Sequence, residues 1–397
     1  MKIFVINCGS SSLKFQLIDS VSEECLAKGL CERIGIEGGM ISYTPAGGSK
    51  EKKNVEIPDH KEAFRLVLEA MTNPETGVIK STDEIDAVGH RMVHGGEKFA
   101  CSAVLDDDVL AAVSECNDLA PLHNPANLVG VNACKALMPN VPMVGVFDTA
   151  FHQTMPEEAY LYAIPYEYYK KYGVRRYGFH GTSHHYVSEH CAEFLGKKYE
   201  DMKIIVCHLG NGASVSAVKN GKCVDTSMGM TPLEGLVMGT RSGDIDAGVL
   251  EFLANKEGMD VKALLNMLNK KSGLLGLTEF SSDSRDVEDG YFENKENCVR
   301  AQKSFCYRVA KYIGAYVAAM NGVDAICFTA GVGENSSITR EMICEYLGYL
   351  GVTIDKEANK KRGDDNIIST ADSKTVVCVI PTNEELAIAR ETARLVK

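Results

Sequence analysis

The sequence has no long hydrophobic run. Nothing in it approaches the roughly 20 apolar residues that a membrane-crossing helix needs. The apolar run after Lys2 is four residues long, too short for the core of a secretory signal. An excess of positive charge is also missing. The 42 Lys and Arg stand against 54 Asp and Glu, a net charge of −12. That argues against nucleic acid or an anionic membrane as the main partner, while an anionic substrate in a locally basic cleft stays open. The fourteen cysteines include no CxxC pair, and several sit inside apolar runs, such as Cys207, Cys327 and Cys378. This is the pattern of buried, reduced thiols in a cytoplasmic protein rather than of a disulfide framework, a zinc site or a redox pair. GxxxxGK[ST] does not occur, so a P-loop is not expected. No low-complexity linker divides the 397 residues. The chain is long enough for two domains with real cores, and their junction is expected to be a hinge between packed bodies.

The opening, MKIFVINCGSSSLKFQLID, is the most informative stretch. Ile3 to Ile6 is apolar and ends in Asn7, a small polar loop runs from Cys8 to Ser12, and Leu13 to Ile18 alternates like a strand. This reads as strand, tight loop, strand. Such a loop offers N–H groups, Ser hydroxyls and the Lys14 ammonium to one small volume, which suits phosphate oxygens; the rival reading is an ordinary polar hairpin turn. The pattern recurs. Ile204 to Cys207, the loop His208 to Ser214, Val215 to Val218, the turn Asn220-Gly221 and Cys223 to Thr226 repeat the order of events, with Asn7 falling on His208 and Gly9 on Gly210. A duplicated architecture follows. Further strands are expected at Cys25 to Cys31, Met40 to Thr44, Ile85 to Gly89, Val141 to Phe147 and Ala325 to Thr329. Helices are expected over Asp59 to Met71 and from a Thr382/Glu385 capping box to the C-terminus.

Eight ordered motifs, spread over essentially the whole chain, resemble the acetate kinase family. They are NCGSSSLKF near the start, HRMVHGGE at 90–97, FDTAFH at 147–152, VRRYGFHGTSH at 174–184, HLGNG at 208–212, MGTRSGD at 238–244, GVGEN at 331–335 and TNEE at 382–385. The resemblance implies an α/β fold of the actin-like ATPase superfamily. It consists of two duplicated ribonuclease-H-like domains, each a mixed five-stranded sheet with flanking helices, and a nucleotide in the cleft between them. The expected division is 1–150 plus 385–397 for the first domain and 151–384 for the second. The implied reaction is reversible, magnesium-dependent phosphoryl transfer between ATP and acetate, giving ADP and acetyl phosphate by direct in-line transfer. The alternatives are a propionate or butyrate kinase of the same fold, or a non-catalytic nucleotide-binding regulator.

By the resemblance, Arg91 and Arg241 bind the carboxylate and the transferring phosphoryl group. Their Gly-rich surroundings allow close approach to a rigid guanidinium fork; on the residues alone, two surface arginines in turns are an equal reading. His180 is implied to donate to the phosphoryl group, with Asp148 orienting the acid or serving the metal. Asn7 and Glu384 are implied to hold Mg²⁺, or Mn²⁺ in its place, although an acidic residue in a first helical turn has its own dipole rationale. Val93, Leu122, Phe179 and Pro232 are implied to form a small apolar pocket for the methyl group. Ser10, Ser12, Lys14, His208, Gly210, Asn211, Gly212, Asp283, Ser284, Arg285, Gly331, Val332, Gly333, Glu334 and Asn335 are implied around the nucleotide and its phosphates. At position 284 the family usually carries a larger apolar residue than Ser284. His180 and His184 are four apart, but Gly181 and the cap-like Thr182-Ser183 start a helix after His180, which weakens a metal pair. His184 and His185 are read as structural. A homodimer is implied by the family, with no nucleic-acid or membrane partner.

Overall fold

The structure is a computed structural model that describes residues 1–121 and 123–397; Leu122 lies outside the described residues. The chain forms two compact units, Met1–Ala150 with Asn383–Lys397, and Phe151–Thr382. Among the described residues, no helix is long and apolar enough to cross a membrane.

The first unit is built on β1 (Lys2–Cys8), β2 (Ser12–Asp19), β3 (Cys25–Glu32), β4 (Met40–Pro45), β5 (Glu51–Asn54), β6 (Ala87–Met92), β7 (Ala103–Val104) and β8 (Met143–Phe147). Their order in the sheet is β5-β4-β3-β2-β1-β6-β8-β7. β1 to β5 form an antiparallel meander, while β1, β6 and β8 run parallel. Phe4, Ile6, Phe15 and Leu17 are fully buried because the sheet centre is covered, as parallel strands require. Phe4 meets Phe15 and Phe64 edge-on at 6.0 and 6.5 Å between ring centroids. Phe64 comes from the helix His60–Met71, whose N-cap Asp59 accepts from Glu62 N.

In the second unit, β9 (Lys203–Leu209), β10 (Ala213–Lys219), β11 (Lys222–Thr226), β12 (Ala325–Thr329), β13 (Asn366–Ile367) and β14 (Val376–Val379) lie in the order β11-β10-β9-β12-β14-β13. The two sheets share a five-strand core, β3-β2-β1-β6-β8 and β11-β10-β9-β12-β14, with the same strand directions. β4, β5 and β7 extend the first core, and β13 extends the second. The tight loops differ by one residue: Cys8 pairs with Leu13 across the first and Leu209 with Ala213 across the second, and Gly9 N donates to Ser12 O at 2.9 Å where Gly210 N donates to Gly212 O at 3.1 Å.

Two expectations are corrected. Asn383 and Glu384 were placed with the second domain but belong to the first unit. The expected cap, Thr382, is not the cap. Asn383 Oδ1 accepts from Leu386 N at 3.0 Å and starts the helix Glu384–Leu395, which packs on β1, β6 and β8. Thr382 Oγ1 instead meets Ser183 Oγ at 2.8 Å. All fourteen cysteines are free thiols, and all but Cys25 and Cys101 are buried.

Candidate active site

In the first unit, parallel register does the positioning. Ile6 pairs with His90 and Met92 with Phe147, so Asn7, Arg91 and Asp148 fall at the carboxyl ends of three adjacent strands, where open α/β sheets bind ligands. Arg91 Nε donates to Asp148 Oδ1 at 3.2 Å, and its Nη2 bonds Asp148 Oδ2. The same Nε lies 4.0 Å from Glu384 Oε2. The Asp148 side chain is 2% exposed and that of Arg91 21%, so the arginine side chain keeps some exposure while its partner does not. Burial pushes the Asp148 carboxyl up to about 6; Arg91 opposes this and the Glu384 charge adds to it. For Arg91, burial works against the charge, but Asp148 and Glu384 outweigh it and hold the guanidinium protonated. Two carboxylates thus surround one cation. The surplus negative charge, with the Asn7 amide on the neighbouring strand, is a donor set of the hard, oxygen-rich kind that divalent cations take.

The segment after Arg91 is pinned by residues that the sequence analysis did not single out. Asn127 Oδ1 accepts from Val93 N at 3.0 Å, and its Nδ2 donates to Cys8 O at 2.9 Å. Asn124 bonds both His94 N, at 3.1 Å, and His94 O, at 2.9 Å. Thr149 Oγ1 accepts from Gly95 N at 3.0 Å. Two buried amides in one apolar helix were the available signal. The β1–β2 loop is held by His60 Nε2 on Gly9 O at 2.8 Å and by Ile34 N on Ser11 O at 3.0 Å. Ser10 is exposed and Ser12 half-buried. The Lys14 ammonium pairs with the Glu385 carboxylate, a partner that the hairpin reading did not include.

In the second unit, His180 caps the helix Gly181–Phe194 in the left-handed region, at φ +58°. The helix start falls where expected, but Thr182 and Ser183 are inside it rather than capping it. His180 stacks on His208 at 4.2 Å between ring centroids, and its Nδ1 meets Ser214 Oγ at 2.8 Å. A Cβ added to Gly212 would lie 2.9 Å from Arg241 Nη2 and 3.5 Å from His180 Nε2. Both nitrogens therefore lie beside the open side of Gly212, and a larger side chain there would press on the Arg241 guanidinium. Arg241 Nη1 donates to Pro232 O at 2.6 Å, and burial lowers the guanidinium pKa from its ordinary value.

Beside this point is a groove of about 710 Å³. Seven of the residues implied around the nucleotide line it: Gly210, Asn211, Ser284, Arg285, Gly331, Val332 and Asn335. Glu288, Asp289, Ser336 and Arg362 join them from positions with no sequence signal. Other residues implied there are held by bonds within the protein. Asp283 Oδ1 caps Arg285 N at 2.9 Å, and its carboxylate pairs with the Arg285 guanidinium. Glu334 turns its carboxylate inward, accepting from Ala330 N at 2.8 Å and Thr382 N at 3.2 Å. Gly333 O accepts from the buried Arg340 Nη1 at 2.7 Å. His208 Nδ1 meets Ser183 Oγ at 2.8 Å. GVGEN forms the helix Ala330–Asn335, entered through Ala330 at φ +64°. Of the implied methyl pocket, Val93 is a buried residue of the first unit, and Phe179 and Pro232 belong to the second.

Four histidines are buried in states that disfavour protonation. Burial lowers His90 to about 3 and His94 and His152 to about 4. Burial, with His152 and His208 close by, takes His184 well below its usual value. A histidine whose folded pKa is depressed contributes stability above the unfolded value of about 6.5 and loses it as pH falls toward the folded value. The denaturant midpoint is therefore expected to drop steadily between pH 7 and pH 4.5. A flat midpoint over that range would contradict the neutral assignment.

The two units share one α/β plan, a five-strand sheet with polar groups at its strand ends, and the second carries a groove beside them. Residues 2–390 match the acetokinase family. The acetate kinase of Agathobacter rectalis is 66% identical over 397 residues, covering 100% of both chains. The crystal structure of Porphyromonas gingivalis acetate kinase superposes with a TM-score of 0.96 at 49% identity, covering 100% of both chains. A propionate kinase from Francisella tularensis superposes at 0.93 with 42% identity, covering 99% of both. The chain belongs to the acetokinase family, whose members use ATP and ADP as co-substrates together with a divalent metal.

Proposed function

We propose that this protein is an acetate kinase, an ATP:acetate phosphotransferase that makes ADP and acetyl phosphate reversibly. The observation that carries the site reading is the convergence of Arg241 Nη2 and the His180 Nε2 edge on the space kept open by Gly212. Phosphoryl transfer asks a protein for positioning and charge neutralisation more than covalent chemistry, and two donors aimed at one point supply both. An acetate oxygen forms the new bond to the γ-phosphorus as the bond to the ADP oxygen breaks. Acetate is already ionised at neutral pH, so no general base is required. Arg91 binds the carboxylate, held in orientation by Asp148. Glu384 and Asn7 are the residues that would hold Mg²⁺, which when bound neutralises phosphate charge. The 710 Å³ groove takes the nucleotide, and the loop with Ser10 and Ser12 takes phosphate oxygens. The protein works in the cytoplasm as a homodimer.

Purified protein with ATP, Mg²⁺ and acetate is expected to trap acetyl hydroxamate when hydroxylamine is present; no product above blank would sink the reading. Propionate should be turned over with kcat/KM lower by about tenfold, since one methylene discriminates by only about 1–3 kcal/mol. A ratio favouring propionate would move the protein to the sister activity.

A further inference from the structure

We propose that His184 is a positioning residue that sets the tautomer of His180 through an ordered chain of hydrogen bonds. The chain is Ser216 to His184 to Ser214 to His180. It rests on the reading above that His180 donates from Nε2 to the phosphoryl group.

The contacts are short and consecutive. His180 Nδ1 meets Ser214 Oγ at 2.8 Å, Ser214 Oγ meets His184 Nε2 at 2.7 Å, and His184 Nδ1 meets Ser216 Oγ at 2.8 Å. The spacing follows from two periodicities. His180, the N-cap, and His184, in the first turn of the helix, are four residues apart, about 6 Å of helical rise. Ser214 and Ser216 are two residues apart on one face of β10, about 6.7 Å. The helix packs on β9 and β12, and from its first turn His184 reaches both hydroxyls of neighbouring β10. His184, Ser214 and Ser216 have no exposed surface, so water does not compete for these bonds.

Counting protons leaves one order. For His180 to present N–H at Nε2 as a neutral ring, its Nδ1 must accept. Ser214 then gives its only proton to His180 Nδ1, and its oxygen must accept from His184. That places the His184 proton on Nε2 and leaves Nδ1 bare. Ser216 satisfies Nδ1 with its own O–H. The reverse order would put the proton of neutral His180 on Nδ1 and turn a bare Nε2, an acceptor, toward an anionic phosphoryl group. A charged His184 would still donate to Ser214 but would reverse the Ser216 bond, and its burial beside His152 and His208 opposes that charge. His152 is itself held by Nε2 on Phe179 O at 2.9 Å and Nδ1 near Cys223 Sγ at 3.1 Å.

The test is ¹⁵N NMR of the full-length protein labelled at histidine, run beside steady-state kinetics. His184 is expected as a single neutral Nε2–H tautomer at pH 7.5, and Ser216→Ala should shift it toward Nδ1–H. Ser214→Ala is expected to lower kcat by about tenfold, with KM for acetate and ATP within about twofold of wild type. His184→Gln, which keeps an amide N–H near the Nε2 position, should retain more turnover than His184→Ala. A wild-type His184 carrying its proton on Nδ1, or wild-type kcat in Ser214→Ala, would overturn the chain. The NMR arm needs no variant, so it decides even where a substitution fails to fold. Near-normal turnover in His180→Ala would instead remove the underlying reading of the site.

Discussion

Arg241→Ala is expected to fold normally and to turn over about a thousandfold more slowly, the scale on which arginines act in phosphoryl transfer. Arg241 is half-buried, and its one assigned hydrogen bond is Nη1 to Pro232 O at 2.6 Å, so truncation removes little that the fold depends on. What it removes is a cation facing the Gly212 space together with His180. Burial already works against that charge, and a phosphoryl group is the kind of partner that repays its desolvation. Arg241→Lys should recover only part of the rate, because an ammonium cannot reproduce the planar fork. His180→Ala is expected to cost about a hundredfold, as removal of one transition-state donor does. Hydroxamate kinetics measure these rates, and circular dichroism checks the fold. Wild-type turnover in folded Arg241→Ala would take Arg241 out of the site.

Arg91→Ala should abolish measurable turnover and also destabilise the protein, by about 3 kcal/mol. The reason is Asp148, which is 2% exposed and loses its bidentate partner. Its carboxyl is already raised to about 6 by burial and by Glu384, and without Arg91 it rises further. A carboxyl whose folded pKa exceeds its unfolded value of about 3.9 favours the folded state only while protonated. The stability loss in Arg91→Ala should therefore be small at pH 4.5 and should grow as pH rises through 6 to 8. The double variant Arg91→Ala/Asp148→Asn should regain stability at pH 8 without regaining activity. Urea midpoints at the two pH values separate the effects. Equal losses at both pH values would contradict the buried-carboxylate explanation.

Local pattern reached far in this chain. The two strand–loop–strand segments were legible because an apolar run, a small polar loop and an alternating return have few other solutions. Their common order of events reappears in the shared five-strand order of the two sheets, although the second hairpin loop is one residue shorter. The helix Gly181–Phe194 began where Gly181 suggested. The last helix was misread at its cap, because Thr382 and Asn383 are both good capping residues and only the path of the chain chooses between them. Within GVGEN the path of the chain also decides what a carboxylate meets. Glu334 looks like a ligand in the sequence, yet its carboxylate closes on the Ala330 and Thr382 amides.

By itself, the sequence determined the duplicated α/β architecture, the family and the residues at the strand ends, since each rests on local periodicity or on ordered short motifs. Tertiary structure alone decided which groups are partners. Arg91 and Asp148 are 57 positions apart, and His184 and Ser214 are 30 apart. Their bonds depend on parallel register and on a helix face meeting a strand face, distances that no spacing along the chain encodes. The opening loop shows the division well. Its strand–turn–strand form was visible in nineteen residues, while the Lys14 pairing with Glu385 came only when the last helix folded back onto the first sheet.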